Sequence, residues 1–290
     1  MAPRPSRSFP PLPAGRLSAA DRLRYRCYKA AVQDADGMLK TLESLYQSLF
    51  KAPPRTLRED FCGTFLYASE WVRRGRDRRA YGLDINPRPL QFGAAEHLPK
   101  LSRGERQRLT ILERNVLDAS GIRADLIAAC NFSFYVLKER AHLLQYCRAA
   151  RKALNRRGLF VLEMVGGGGF EEAPFVERRA VEYPRGPRRG ERWFTYSWHQ
   201  RSFNPITREG LYTISFSFPD GTRMKDTFSY DWRVWTLPEV RECLREAGFD
   251  EVKVFWEDED AHRRDLGTWS ARESVESDPT WLCYIAGVKR

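Results

Sequence analysis

The feature that most constrains this chain is a change of rhythm along it. From Pro53 onwards, short runs that read as strands alternate with stretches that read as helices. Strands are expected at Leu57–Phe61, Ala80–Ile85, Leu109–Glu113 and Asp125–Cys130, with helices over Thr64–Arg74, from near Pro87, and over Leu137–Asn155. The last of these carries Leu137, Ala141, Leu144, Cys147, Arg151 and Leu154 on one stripe, and Gly158 is placed to cap its end. The run LFVLEMV, Leu159–Val165, has no polar face to offer water except Glu163, as expected of a strand covered on both sides. Strands that alternate with helices imply a parallel sheet with right-handed crossovers.

The period then changes. RWFTYSWHQRSF, GLYTISFSF and RMKDTFSYDW, between Trp193 and Trp235, are aromatic and β-branched and are separated by Asn204-Pro205 and Pro219-Asp220-Gly221. Those turn signals predict an antiparallel meander of three strands inserted at about 170–235. The α/β pattern resumes at Thr236-Leu-Pro-Glu239, a capping box with proline in the first turn, and Gly248 closes the helix it opens. Glu251–Trp256 and Trp281–Val288 supply two more strands. The sum is an α/β fold with a doubly wound, seven-stranded sheet. Ahead of it, Met38, Leu42, Leu45 and Leu49 mark a helical region from Ala19 to Phe50 that Pro53-Pro54 stops. The division is therefore a flexible Pro/Arg/Ser-rich tail at 1–18, a helical cap at 19–52, and the α/β domain at 53–290.

Other classes are disfavoured. No stretch approaches the roughly 20 apolar residues of a membrane span, and the N-terminus lacks the apolar segment of a secretion signal. Six scattered cysteines without a CxxC pair read as reduced thiols of a cytoplasmic protein, and four histidines give a metal site little to build on. The net charge of +11 is concentrated in arginine clusters at 73–79, 103–108, 148–157 and 185–192. Such clusters are either a solvated surface or a face that attracts nucleic acid or acidic molecules.

In an open parallel sheet a ligand sits at the carboxyl ends of the strands, where the strand order reverses. The first strand ends in Glu59-Asp60-Phe61-Cys62-Gly63-Thr64, and Asp84 follows Gly63 by about 20 residues at the end of the second, the separation between a nucleoside-binding turn and its ribose carboxylate. An ordinary turn with a chance aspartate would show the same spacing. The absence of GxGxxG argues against a dinucleotide, whose pyrophosphate needs a bare glycine-lined helix start. It also speaks against a nicotinamide oxidoreductase.

LREDFCGT, YGLDINPRPL and NFSFYVLKER, together with FNPIT, FPDG and YDWRVWTLPEVRECLREAGF, resemble a family of bacterial class I methyltransferases without an assigned substrate; the likeness runs from about Tyr25 to the end. It implies a Rossmann-like methyltransferase sheet that binds S-adenosylmethionine and releases S-adenosylhomocysteine. Carried onto this sequence, the backbone from Asp60 through Phe61 and Cys62 to Gly63 faces the methionine part, with Asp60 towards its ammonium. Asp84 holds the ribose, and Ile85 packs on the adenine. Asn115 and Val116 stand where an aspartate usually meets the adenine amino group, and an asparagine oxygen accepts the same bond. Asn131 and Phe132 line the cleft below the sulfonium; separately from the resemblance, Tyr28 in the N-terminal helix is a candidate for closing over the cofactor. Phe65 departs from the family, which has a small residue there; its ring either enters the core or crowds the methionine tail.

Transfer from a sulfonium is an in-line displacement that needs positioning first and a base only if the acceptor must lose a proton. Glu163 and His199 are the candidates for such a base, although each also reads as a structural residue. The aromatic residues of the meander are either cross-strand packing or the wall of an acceptor pocket, and the insertion falls where it would cover the strand ends. A small-molecule acceptor methylated on O or N follows. The alternatives are an RNA or DNA methyltransferase, which the arginines favour and the missing NPPY-like tetrapeptide disfavours, and a non-catalytic binding protein, which only Phe65 favours.

Overall fold

The computed structural model describes residues 17–118, 121–260 and 265–290. The expected flexible tail lies outside them apart from its last two residues. The expected helical region forms two helices, α1 (Ala19–Val32) and α2 (Ala35–Phe50). Ser18 and Asp21 close a capping box on the first, and Asp34 breaks the run by accepting the Gly37 N–H at 3.1 Å to start the second.

The main sheet contains β1 (Thr56–Asp60), β2 (Arg79–Asp84), β3 (Leu109–Glu113), β4 (Ala124–Ala129) and β5 (Leu154–Gly166), joined through α3 (Leu66–Arg73), α4 (Pro87–Glu96), α5 (Arg103–Gln107) and α6 (Arg140–Ala153). After β5 come the short α7 (Gly168–Glu171) and a separate antiparallel sheet of β6 (Phe175–Glu182), β7 (Arg192–Asn204), β8 (Glu209–Ser217) and β9 (Arg223–Arg233). The chain then returns through α8 (Leu237–Glu246), β10 (Glu251–Glu259), β11 (Asp265–Ala271) and β12 (Trp281–Lys289). The main sheet has the order β11-β10-β12-β5-β4-β1-β2-β3, parallel from β3 to β5 and antiparallel beyond. The order reverses between β1 and β4, which places the switch point there. One face packs on α6 and α8 and the other on α2, α3 and α4, with Ile127, Phe160 and Leu162 in the first layer and Leu126, Leu159 and Val161 in the second. Alternation along each strand feeds both layers, so a run with no polar face was the correct signal for a covered strand.

The structure corrects three expectations. The main sheet has eight strands rather than seven, because β11 pairs with β10 at the edge. The inserted sheet has four strands rather than three, because β6 pairs with β7. Both added strands are largely solvent-exposed, and their apolar residues neither alternate strictly with polar ones nor form a continuous run, so they lack the signal on which strand reading depends. Gly158 is not a helix cap. The helix α6 ends at Ala153 and Gly158 lies inside β5 opposite Lys289, where an added Cβ would come within 2.8 Å of the Leu154 side chain.

Phe65 enters the core. It has a left-handed φ of 47°, is 1% exposed, and directs its ring between β2 and α4. Two glycines make the room: a Cβ on Gly93 would stand 2.5 Å from the Phe65 ring and 2.2 Å from the Thr64 carbonyl oxygen, and one on Gly82 would stand 3.3 Å from the Phe65 Cβ. Gly93→Ala should therefore destabilise the fold by about 1–3 kcal/mol through overpacking. Urea denaturation of this variant, of Phe65→Ala and of the double variant should give costs that are less than additive, because each single change strains or empties the same space.

Candidate active site

The site begins with the alternation of side chains in β1. Arg58 and Asp60 point to one face of the sheet and Glu59 to the other. Arg58 donates from Nε to Asp60 Oδ1 at 2.6 Å and from Nη2 to Oδ2 at 3.0 Å. Tyr146 of α6 donates its hydroxyl to the same carboxylate at 2.9 Å, and Arg58 also reaches the Val116 carbonyl at 3.4 Å. All of this is buried, with Arg58 and Asp60 each 1% exposed. The Asp60 carboxylate, expected to turn towards a ligand ammonium, is engaged by Arg58 and Tyr146, and Asp60 borders the cleft.

Glu59, on the other face of the strand, also borders the cleft. Its carboxylate lines the cleft and accepts the Ala68 N–H at 2.7 Å and that of Tyr67. Burial, with smaller contributions from the nearby Asp84 and Asp60, raises its pKa to about 8. The signal was present in the sequence. Of two adjacent carboxylates in a strand only one can face a given side, and an arginine two residues before Asp60 marks which one is occupied.

The turn that follows is held in a strained form by Asp84. Phe61, Gly63 and Phe65 have φ of 53°, 51° and 47°. Asp84 Oδ2 accepts the Gly63 N–H at 2.7 Å and Oδ1 accepts the Asn86 N–H at 2.8 Å. Asp84 thus joins the ends of β1 and β2, and burial raises its pKa. Beside it Ile85 is 67% exposed, an apolar side chain with no cover of its own. Cys62 is buried against the turn and borders the cleft. Asn115 and Val116, after β3, do not border this cleft, and neither do Asp84 and Ile85 at the end of β2. The Asn115 Oδ1 accepts the Leu117 N–H at 3.0 Å, and Val116 is buried.

The cleft holds about 320 Å³. Its roof consists of Arg24, Tyr25, Tyr28 and Gln33 from α1 and its C-terminal cap, and of Thr227 to Tyr230 from β9. Gln33 Oε1 is buried there without a hydrogen-bond partner among the described residues. A second chamber of about 610 Å³ adjoins it under the inserted sheet, walled by Phe132, Phe170, Trp198, Tyr230 and Trp232. Trp198 is central to this wall, with its ring 5.4 Å from Tyr212, 6.1 Å from Phe170 and 6.2 Å from Trp232. Tyr28, Asn131 and Tyr230 border both spaces, and the hydroxyls of Tyr28 and Tyr230 are hydrogen-bonded.

Asn131 and Phe132 both have left-handed φ, 53° and 56°, at the end of β4. Glu163 holds this turn: its Oε2 accepts the Asn131 N–H, and Tyr284 lies 3.5 Å from Oε1. Burial raises its pKa to about 7. Glu163 borders neither chamber and reaches the junction through the Asn131 backbone. His199 is further away. In β7 the residues Tyr196, Trp198 and Gln200 face the chamber, whereas His199 points to the opposite face of the inserted sheet.

No family model matches the chain, and no curated protein is similar to it in sequence. Solved structures are similar in fold. DesVI of Streptomyces venezuelae superposes with a TM-score of 0.66 at 15% identity over 95% of this chain and 100% of its own. CalS10, an amino pentose methyltransferase of Micromonospora echinaspora, gives 0.63 at 14% over 91% and 96%. KedS8, a sugar N-methyltransferase of Streptoalloteichus sp ATCC 53650, gives 0.59 at 15% over 100% and 99%. The chain has the fold of the class I S-adenosylmethionine-dependent methyltransferases.

The raised Glu59 sets a signed prediction. A carboxyl with a folded pKa of about 8 against an ordinary 4.5 destabilises the fold as pH rises through that window, because only the unfolded chain ionises it freely. Glu59→Gln should be more stable than the wild type at pH 8, by about 4 kcal/mol, and equal to it below pH 4. Urea midpoints at both pH values test this; a variant that loses stability at pH 8 would overturn it.

Proposed function

We propose that the protein transfers the methyl group of S-adenosylmethionine to a nitrogen atom of a small-molecule acceptor, leaving S-adenosylhomocysteine. The observation that carries this reading is the meeting of two chambers at Tyr28, Asn131 and Tyr230, one at the strand ends of a methyltransferase fold and one walled by aromatic rings. The cofactor supplies a methyl carbon on a positively charged sulfur. Glu59 offers a buried carboxylate to its ammonium, Gln33 an unpartnered oxygen, Asp84 a carboxylate at the ribose position, and Ile85 an exposed apolar face to the adenine. Of the positions that the family resemblance implies, the segment from Asp60 to Gly63 and Asn131 border the same space, as does Tyr28.

The acceptor chamber supports an amine. Trp198, Tyr230 and Trp232 present π faces that attract a cation or a polarised N–CH3 group. Glu172 and Glu177 add carboxylates that make no side-chain ion pair among the described residues. Arg179, the arginine in the chamber, is occupied, donating to the Ala31 carbonyl and lying 4.8 Å from the Tyr196 ring centre. KedS8 is described as acting on a sugar nitrogen and CalS10 on an amino pentose, which agrees with this reading. In the reaction the nitrogen lone pair forms the new bond to carbon, the carbon–sulfur bond breaks, and the nitrogen carries the charge until it releases a proton. Tyr28, Asn131 and Tyr230 hold the two partners in line, the contribution that positioning makes to such displacements. Glu163 supports the junction by accepting the Asn131 N–H, whereas His199 lies on the opposite face of the inserted sheet. Six buried free cysteines fit a reducing cytoplasm, and no helix among the described residues is long and apolar enough to cross a membrane.

The nucleic-acid alternative loses part of its support, because several arginines of the clusters are committed elsewhere. Arg74 and Arg78 pair with Glu43, and Arg108 donates to the carbonyls of Val72, Gly75 and Arg78. The non-catalytic reading loses Phe65, which packs in the core.

Isothermal titration with S-adenosylmethionine and S-adenosylhomocysteine should give micromolar binding that weakens at least tenfold in Asp84→Ala, as expected when hydrogen bonds to a charged group worth about 1.5–3 kcal/mol are lost. Wild-type protein that binds neither compound would overturn the proposal. In methyl-transfer assays on a panel of amino sugars, Trp198→Ala should raise KM for the amine roughly tenfold and leave cofactor affinity within twofold, because one aromatic face lost from a desolvated cation site costs about 1–2 kcal/mol.

A further inference from the structure

The inserted sheet has a second face, directed away from the acceptor chamber, and its chemistry is opposite to that of the first. A groove of about 560 Å³ runs across it. Its floor carries the hydroxyls of Ser197, Ser215 and Ser217, with Ser197 buried, and its rim carries Arg178, Arg201, Arg223 and Lys225. One carboxylate answers these four cations. Asp226 Oδ1 accepts from Arg201 at 2.5 Å and from Thr213 Oγ1 at 2.7 Å. Arg178, Arg223 and Lys225 have no carboxylate partner among the described residues, although elsewhere in the molecule arginines find one repeatedly. Strand pairing explains the convergence: Arg178 lies opposite Ser197, Ser197 opposite Ser215, and Arg223 opposite Ser217. Small side chains stand beside the cations on neighbouring strands, and the register shift between Ile214 and Phe216 brings Asp226 over Ser215, to which its N–H donates at 3.0 Å. Like charges gathered on one sheet face repel one another, and they persist there at a cost in stability.

We propose that this groove binds a phosphate-bearing small molecule. Convergent guanidinium and ammonium groups over a floor of hydroxyl donors match the several acceptor oxygens of a phosphate group. The site is independent of methyl transfer, since the sheet itself separates it from the aromatic chamber, and it gives a place to His199, whose ring lines the groove.

The probe is inorganic pyrophosphate, titrated calorimetrically into the full chain at low ionic strength. Two charge-matched double variants are compared: Arg223→Glu with Lys225→Glu in the groove, and Arg185→Glu with Arg189→Glu in the connection between β6 and β7. Thermal unfolding followed by circular dichroism confirms that both remain folded. The expected result is one-to-one binding, weakened at least tenfold by the groove pair and less than twofold by the control pair, and unaffected by saturating S-adenosylmethionine. Equal weakening by both pairs, competition with S-adenosylmethionine, or no heat at millimolar pyrophosphate would each overturn the proposal. So would binding of a 20-nucleotide single-stranded RNA without binding of pyrophosphate, which would make the face a nucleic-acid surface.

Discussion

The ion pair of Arg58 with Asp60 sits at the carboxyl end of the central strand, and the rest of the site is arranged around it. Two charges 2.6 Å apart are almost wholly removed from water. Desolvation alone would push the Asp60 carboxyl towards its neutral form, and Arg58 and the Tyr146 hydroxyl are what oppose this. A buried pair of this kind adds little net stability, but loss of one partner leaves an uncompensated charge and typically costs about 3–5 kcal/mol. Its geometry also has a directional consequence. With Asp60 tied to α6 through Tyr146 and Arg58 tied to the segment after β3 through Val116, the register of β1 against its neighbours is fixed, and Glu59 is left facing the cleft.

Around that strand, three more carboxylates act as anchors for irregular backbone. Glu59 takes the first amides of α3, Asp84 takes those of Gly63 and Asn86, and Glu163 takes that of Asn131. Each anchored segment is, or adjoins, backbone in the left-handed region, at Phe61, Phe65, Asn131 and Phe132. Such conformations cost about 1–3 kcal/mol each and persist only where the surroundings impose them. The result is a cleft whose walls are set before any ligand enters and whose buried groups are predominantly acidic. Burial raises the pKa of all three carboxyls. A cation at the cleft would lower that of Glu59 again, which is a further reason why a ligand carrying both an ammonium and a sulfonium suits the site.

The inserted sheet serves two surfaces through strand alternation. Along β7, Phe194, Tyr196 and Trp198 turn inward onto α1 and the acceptor chamber, and Ser197, His199 and Arg201 turn outward. The inner side is covered where Cys27 and Ala31 of α1 pack against Val181, Phe194 and Ile214. The helical cap and the insertion therefore close over the strand ends as one unit, which is why the roof of the cleft draws residues from both.

By itself the sequence determined the elements whose signals are local. Apolar runs alternating with period-3.6 patterns identified the parallel strands and their helices, the capping box at Thr236 and Glu239 started α8, and Gly63 and Asp84, about 20 residues apart, are in contact. The edge strands β6 and β11 were not legible, because they are largely exposed and their apolar residues follow no regular alternation. Facing was legible only in part. Arg58, two residues before Asp60, marks that carboxylate as occupied, whereas its second partner, Tyr146, lies 86 positions away. That Phe65 enters the core depends on two glycines on β2 and α4, and that His199 turns away from the chamber depends on which side of the inserted sheet α1 covers. Pattern fixes what a segment becomes because it reflects the chain's own geometry. The facing of a charged or aromatic side chain is decided by distant partners that meet it only after folding.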